Sequence, residues 1–131
     1  MTDFGDYLRR FDYAERKAMK IGADEALAGY GDGTIELLDI RFREEHATWR
    51  LGFGRHIPLN ELPDRLGELD RGRTVVPMCP HYDRAEIARL YLVLEGYDAR
   101  YLTDGMLGLV DRLRGDRARA YAGDLAGRPA S

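Results

Sequence analysis

The sequence predicts an α/β domain built on a mostly parallel central sheet flanked by helices on both faces. Three observations carry this expectation. Short apolar runs of strand length alternate with segments of helical periodicity. The connections between successive strands are too long for hairpins. A chain of 131 residues is long enough to bury one core without disulfide staples.

After a polar lead-in over residues 1–17, MKI (19–21) reads as a short strand. ADEALAGY (23–30) reads as a short helix closed by the breaker cluster GDG (31–33). TIELLDI (34–40) is a mostly apolar strand-length run containing Asp39 near its end. FREEHATW (42–49) suits a helix with charge on one side and Ala47 and Trp49 offered for packing, and RLGFGRHIPL (50–59) reads as a loop. NELPDRLGEL (60–69) suits a helix capped by Asn60, with Leu62, Leu66 and Leu69 at helical spacing. RTVVPM (73–78) is a buried-type strand. Its Pro77 has no N–H for the ladder, so it must lie near the strand end or face an unpaired position. In the next helix Ile87, Leu90, Tyr91 and Leu94 fall at i, i+3, i+4 and i+7, and Gly96 stops it. ARYL (99–102) is a further strand and GMLGLVDRL (105–113) a further helix. From about residue 115 the pattern decays, so the last stretch is expected to be a weakly ordered tail.

The composition, 44% hydrophobic and 33% charged with a net charge of −3, is that of an ordinary globular domain. No apolar run approaches the ~20 residues of a membrane-spanning helix. The N-terminal stretch also lacks the apolar core of a secretion signal, so cytoplasmic residence and no membrane partner are expected. Nearly all positive charge is arginine, since Lys17 and Lys20 are the only lysines. Those arginines are scattered among acids, so nucleic acid is not an expected partner.

The single cysteine, Cys79, stands where the strand 73–78 ends and the next helix begins. In a parallel sheet with flanking helices, ligands gather beyond the carboxyl ends of the strands, and both Cys79 and Asp39 fall at that edge. A thiol at a helix N-terminus meets unpaired backbone N–H groups and the positive end of the helix dipole, which favour the thiolate. Arg84 adds a cation five residues on, and His81 can add a charge or a donor. The loop CPHYDR thus reads as a cradle for one sulfur atom or an oxyanion. A buried packing role for a lone cysteine stays open on position alone.

Taken in order, LLDIRFREE, HIPLNEL, VVPMCPHYDRAEIA and YLTDGMLGL closely resemble the landmarks of a single-domain rhodanese, a thiosulfate sulfurtransferase-like protein. The matching residues are a strand ending in Asp39-Ile40-Arg41, an acidic helix, the segment Ile57-Pro58-Leu59, the loop Cys79 to Arg84, and the turn Asp104-Gly105-Met106. The resemblance implies a rhodanese-like domain over 18–115, with an N-terminal extension over 1–17 and a C-terminal helix or tail over 116–131. It implies that Cys79 takes a sulfane sulfur from thiosulfate or a similar donor as a persulfide. The sulfur then passes to cyanide, a thiol or a sulfur-acceptor protein. The loop residues Pro80, His81, Tyr82, Asp83 and Arg84 would cradle substrate and persulfide, with Arg84 binding an anionic donor. Asp39 and Arg41 would support the loop rather than do chemistry. No cofactor or metal is implied.

Loop length separates this chemistry from its neighbours. Related phosphatases and arsenate reductases use a loop one residue longer, whereas here only four residues separate Cys79 from Arg84. The chain departs from the family pattern at three places. Tyr82 replaces a usual glycine, and would be strained if φ there were positive. Pro80 removes one N–H from the cradle. Arg50-Leu51-Gly52-Phe53 replaces a usual His-Ile-Pro-Gly segment beside the site. A non-catalytic binding module on the same fold therefore remains the alternative. His46 and His56 are read as structural, and Trp49 and Phe53 as core or pocket wall. Tyr7, Leu8, Phe11 and Tyr13 are read as packing back on the domain or serving a dimer.

Overall fold

The computed structural model describes residues 2–127. Two short helices, α1 (Phe4–Arg9) and α2 (Tyr13–Ala18), lead into β1 (Lys20–Ile21) and α3 (Ala23–Asp32). Next come β2 (Ile35–Asp39), α4 (Arg43–Thr48), β3 (Arg55–His56) and the one-turn helix α5 (Leu62–Arg65) between two 3₁₀ turns. The chain continues through β4 (Thr74–Met78), α6 (Asp83–Leu94), β5 (Tyr101–Leu102), α7 (Gly105–Asp111) and α8 (Asp116–Gly127). All pairings are parallel. β2 lies between β3 and β4, β1 pairs β5, and a single bridge from Val75 to Ala99 joins the two groups.

Alternation along the strands sends side chains to two cores. Leu38, Ile40, Val75 and Cys79 pack with Ile57, Leu62, Ala88 and Leu92 on one face. Ile35, Leu37, Val76 and Met78 pack with Ala26, Leu27, Met106 and Leu109 on the other. Helices thus cover both faces, as the alternation of elements requires. Pro77 is accommodated by the same period. The Val75 N–H donates to Asp98 O at 2.9 Å, so the nitrogen of Pro77 faces that side too. The bridge to the second group of strands ends at Val75 and Ala99, and Tyr101 donates instead to Met19 O at 2.9 Å, so the missing N–H of Pro77 falls where that pairing has stopped.

Several elements differ from the sequence expectation. The segment 50–59 is not wholly loop: β3 forms within it, its two polar residues held by pairing to Leu38 and Asp39 of β2. The helix expected over 60–69 is broken into the 3₁₀ turn Leu59–Glu61, α5 and the 3₁₀ turn Leu66–Glu68, and Asn60 makes no side-chain cap. In α6 the buried face is Ala85, Ala88, Arg89 and Leu92, while Ile87 is 61% exposed. Small residues let α6 approach the sheet, and the large apolar side chains flank it. Of the C-terminal segment 116–131, residues 116–127 form α8, whose Tyr121 hydroxyl donates to Leu27 O at 2.6 Å. Residues 128–131 lie outside the described residues. Ala47 in α4 and Trp49 just past its end are exposed.

At the N-terminus, Tyr7 packs back on the domain: it is buried and donates to Glu15 Oε2 at 2.7 Å. Arg89, buried in α6, donates to the Tyr7 hydroxyl at 3.0 Å and to Ala99 O at 2.9 Å, and pairs with Glu15 at 2.8 Å. Leu8, Phe11 and Tyr13 stay exposed. Among the described residues no helix is long and apolar enough to cross a membrane.

Candidate active site

The register of the central strands sets Asp39, His56 and Met78 side by side at the carboxyl edge of the sheet. Cys79 follows immediately, and α6 opens four residues later. The intervening loop is held from one side. Cys79 O accepts from Met106 N at 2.8 Å and Pro80 O from Leu107 N at 3.4 Å, so the start of α7 is fastened to the loop. Gly105, at φ +65°, lies against the carbonyl oxygens of Pro80 and His81, and a Cβ there would stand 2.8 Å from His81 Cα. Only a glycine fits both the backbone angle and the approach.

The other side of the loop is open. Among the described residues the backbone N–H groups of His81, Tyr82, Asp83, Arg84 and Ala85 make no hydrogen bond, the first acceptor–donor pair of α6 being Tyr82 O with Glu86 N at 2.9 Å. These are the orphan donors of a helix start, together with the loop amides before it. His81, Tyr82 and Asp83 are exposed. Tyr82 sits at φ −153°, ψ −19°, and no residue other than glycine has positive φ among those described. The loop therefore takes a shape in which tyrosine carries no left-handed strain.

The thiol itself is fully buried, within the core that holds Ile40, Ile57, Ala85 and Ala88. Its polar neighbour is Asp83, whose Oδ1 lies 3.9 Å from Sγ. Arg84 is engaged by a carboxylate of α4. Its Nη1 and Nη2 donate to Glu45 Oε1 and Oε2 at 2.7 and 3.0 Å, and Glu45 Oε1 also accepts from Phe42 N at 3.1 Å. This two-point pairing draws the Glu45 carboxyl down to about 2 and raises the Arg84 guanidinium above its ordinary value. Glu45 was not legible as a site residue: it lies 39 positions from Arg84, and only the docking of α4 beside the loop brings the two together.

Asp39 and Arg41 form a buried pair. The carboxylate of Asp39 accepts from Arg41 N at 3.0 Å, from Nε at 3.0 Å and from Nη2 at 2.8 Å. Arg41 Nη2 also donates to Trp49 O at 2.8 Å, and its guanidinium lies 4.3 Å from the Trp49 ring centre. The pair thus fastens the chain on either side of α4, the helix that presents Glu45 to Arg84. Neither residue hydrogen-bonds residues 79–84.

Beside this edge, on the Met78 face, a cavity of about 220 Å³ is lined by Asp39, His46, Met78, Arg50 and the Leu51–His56 segment. His46 and His56 stack there with ring centres 3.9 Å apart, and His56 Nε2 lies 2.9 Å from Arg41 O. Burial, then the neighbouring His56, lowers the His46 pKa below its ordinary value. Phe53 lines the cavity wall. Among the described residues no group of three His, Cys, Asp or Glu side chains is placed to hold a metal ion.

The profile of the Rhodanese-like domain family matches residues 22–111. The chain belongs to that family. The rhodanese-like family includes sulfurtransferases and also non-catalytic members. Solved structures agree on the fold. A rhodanese-related protein from Thermoplasma volcanium is 20% identical with a TM-score of 0.64, covering 72% of this chain and 92% of that one. A rhodanese-like domain protein from Staphylococcus aureus is 24% identical with a TM-score of 0.63, covering 70% and 90%. The reduced Bacillus anthracis CoADR-RHD is 25% identical with a TM-score of 0.65 over 73% of this chain, but this rhodanese-like chain spans only 17% of that protein.

Proposed function

We propose that this rhodanese-like protein is a sulfurtransferase that carries a sulfane sulfur on Cys79 as a persulfide. The observation that supports this most is the placement of Cys79 one residue beyond β4, at the open side of a loop whose amides from His81 to Ala85 are unsatisfied. Such a row of N–H donors suits the negative charge of a terminal persulfide sulfur. Four residues between Cys79 and Arg84 make a ring tighter than a tetrahedral phosphoryl group needs, which favours sulfur over phosphate chemistry.

The reaction has two displacements. The Cys79 thiolate attacks the outer sulfur of the donor, an S–S bond forms to Cys79, and the donor's own S–S bond breaks with its electron pair leaving on sulfite or a thiolate. An acceptor thiolate or cyanide then attacks the outer sulfur, and Cys79 leaves as the thiolate. With one cysteine in the chain, no internal thiol competes for the sulfur, so a small thiol, cyanide or a sulfur-acceptor protein must receive it.

Intact mass after incubation with thiosulfate and, separately, with an organic persulfide tests the assignment. The expected result is a gain of one sulfur atom, removed by cyanide and absent in Cys79→Ser. No gain with either donor would refute it. The complete burial of Sγ and the engagement of Arg84 by Glu45 would then favour a non-catalytic binding module.

A further inference from the structure

Resting on the sulfurtransferase reading, the geometry points to an organic persulfide, R–S–SH on a small thiol, rather than thiosulfate as the preferred donor, with Glu45 and Asp83 setting that preference. The charges around the sulfur carry the argument. One cation, Arg84, faces two carboxylates, Asp83 at 3.9 Å from Sγ and Glu45 in a two-point pair with Arg84. Glu45 is itself fixed by the Phe42 N–H, so its grip on Arg84 does not depend on a free rotamer. Pro80 contributes no N–H. A dianion approaching Cys79 therefore meets an unpaired carboxylate beside the target sulfur and a cation already neutralised. An organic persulfide, with at most one negative charge, meets far less repulsion.

Asp83 also fits the proton balance of that donor. Its carboxylate takes the Cys79 thiol proton, and the thiolate attacks the outer sulfur of R–S–SH. The R–S bond to that sulfur breaks with its electron pair, and Asp83 returns the proton to the departing RS⁻. The net change is Cys79–SH plus R–SSH giving Cys79–SSH plus R–SH. A thiolate leaving group of pKa ~8.5 gains from that returned proton. Glu45 is a positioning residue in this scheme, acting through Arg84, while Asp83 touches the reacting sulfur.

The test is single-turnover sulfur loading, read by intact mass, with 2-hydroxyethyl persulfide and with thiosulfate. It is run on the full chain as wild type, Glu45→Gln and Asp83→Asn, each checked for folding by thermal unfolding. Wild type is expected to load from the persulfide at least about tenfold faster, the size of effect a unit charge exerts near a partly exposed site. Glu45→Gln, which frees Arg84, raises the thiosulfate rate about tenfold relative to the persulfide rate. Asp83→Asn lowers persulfide loading more than thiosulfate loading, because departing sulfite needs no returned proton and the dianion no longer meets the carboxylate, a change in ratio that a merely structural role would not produce. Equal or faster loading of wild type by thiosulfate overturns the donor preference and leaves the sulfurtransferase reading standing. Parallel changes with both donors in both variants overturn the roles of Glu45 and Asp83. No loading of Cys79 from either donor overturns both readings.

Discussion

Gly105→Ala probes how firmly the Cys79 loop is held. Gly105 adopts φ +65°, and an added Cβ would meet the carbonyl oxygens of Pro80 and His81 and approach His81 Cα to 2.8 Å. Placing alanine in the left-handed region costs about 1–2 kcal/mol. Forcing an extra carbon into a packed site adds about 1–3 kcal/mol. The expected loss is about 2–5 kcal/mol, a large share of the ~5–15 kcal/mol that stabilises a domain of this size. The obstacles are backbone atoms, so relief requires moving residues 80–81 away from α7 and stretching the Met106 N to Cys79 O bond. Sulfur loading of Cys79 should therefore slow even at temperatures where the variant is folded. Urea denaturation supplies the stability and intact-mass kinetics the loading. Gly123→Ala is the control, since a Cβ on that residue of α8 meets nothing within 4 Å. There alanine should be neutral or stabilise by up to about 1 kcal/mol. A Gly105→Ala variant within ~0.5 kcal/mol of wild type, the range of an ordinary surface change, would refute the claim that this contact fixes the loop.

Asp39→Asn leaves the buried Arg41 guanidinium without its counter-charge and should cost about 3–5 kcal/mol in urea unfolding. Adding Arg41→Met should recover part of that loss, and a double variant as unstable as the sum of the singles would show the two residues to be uncoupled. His46, held neutral by burial and by His56, should make stability fall as pH drops below its ordinary value of about 6.5. In that window the unfolded chain binds the proton and the folded chain does not, so acid favours unfolding until the lower folded value is passed. His46→Gln should flatten this limb between pH 7.5 and 5, and an unchanged slope would show that another group carries it.

Much of this architecture can be read from local pattern because its determinants are local. The alternation of short apolar runs with helical segments places β2, β4, α3, α6 and α7, and the strand–helix junction places Cys79. What escapes is set by partners distant in sequence. Strand β3 is Arg-His in a glycine-rich stretch, polar and two residues long, and exists through its pairing with β2. The helical spacing of the large apolar residues does not reveal the buried face of α6. The sheet instead admits Ala85 and Ala88 and tolerates Arg89, whose charge is met by Glu15 and whose donors meet Tyr7 and Ala99. That network spans more than eighty positions and no periodicity announces it. The loop arginine was legible as a cation near the thiol, but its orientation was not, because Glu45 reaches it from another helix.

On the proposed sulfurtransferase chemistry, the same division bears on how a fully buried thiol would take a second sulfur atom. One flank of the loop is fixed: Gly105 presses on the carbonyls of Pro80 and His81, and Met106 and Leu107 donate to Cys79 and Pro80. The floor is core, since Cys79 packs among Ile40, Ile57, Ala85 and Ala88. The remaining flank is built from the exposed side chains of His81, Tyr82 and Asp83, over backbone amides that bond to nothing among the described residues. Displacing those side chains breaks no backbone hydrogen bond and exposes donors that a persulfide can use. On that chemistry, the Tyr82–Asp83 side is the one left for sulfur to enter and stay. The proposal then assigns the choice of donor to the nature of those two side chains more than to the depth of the thiol.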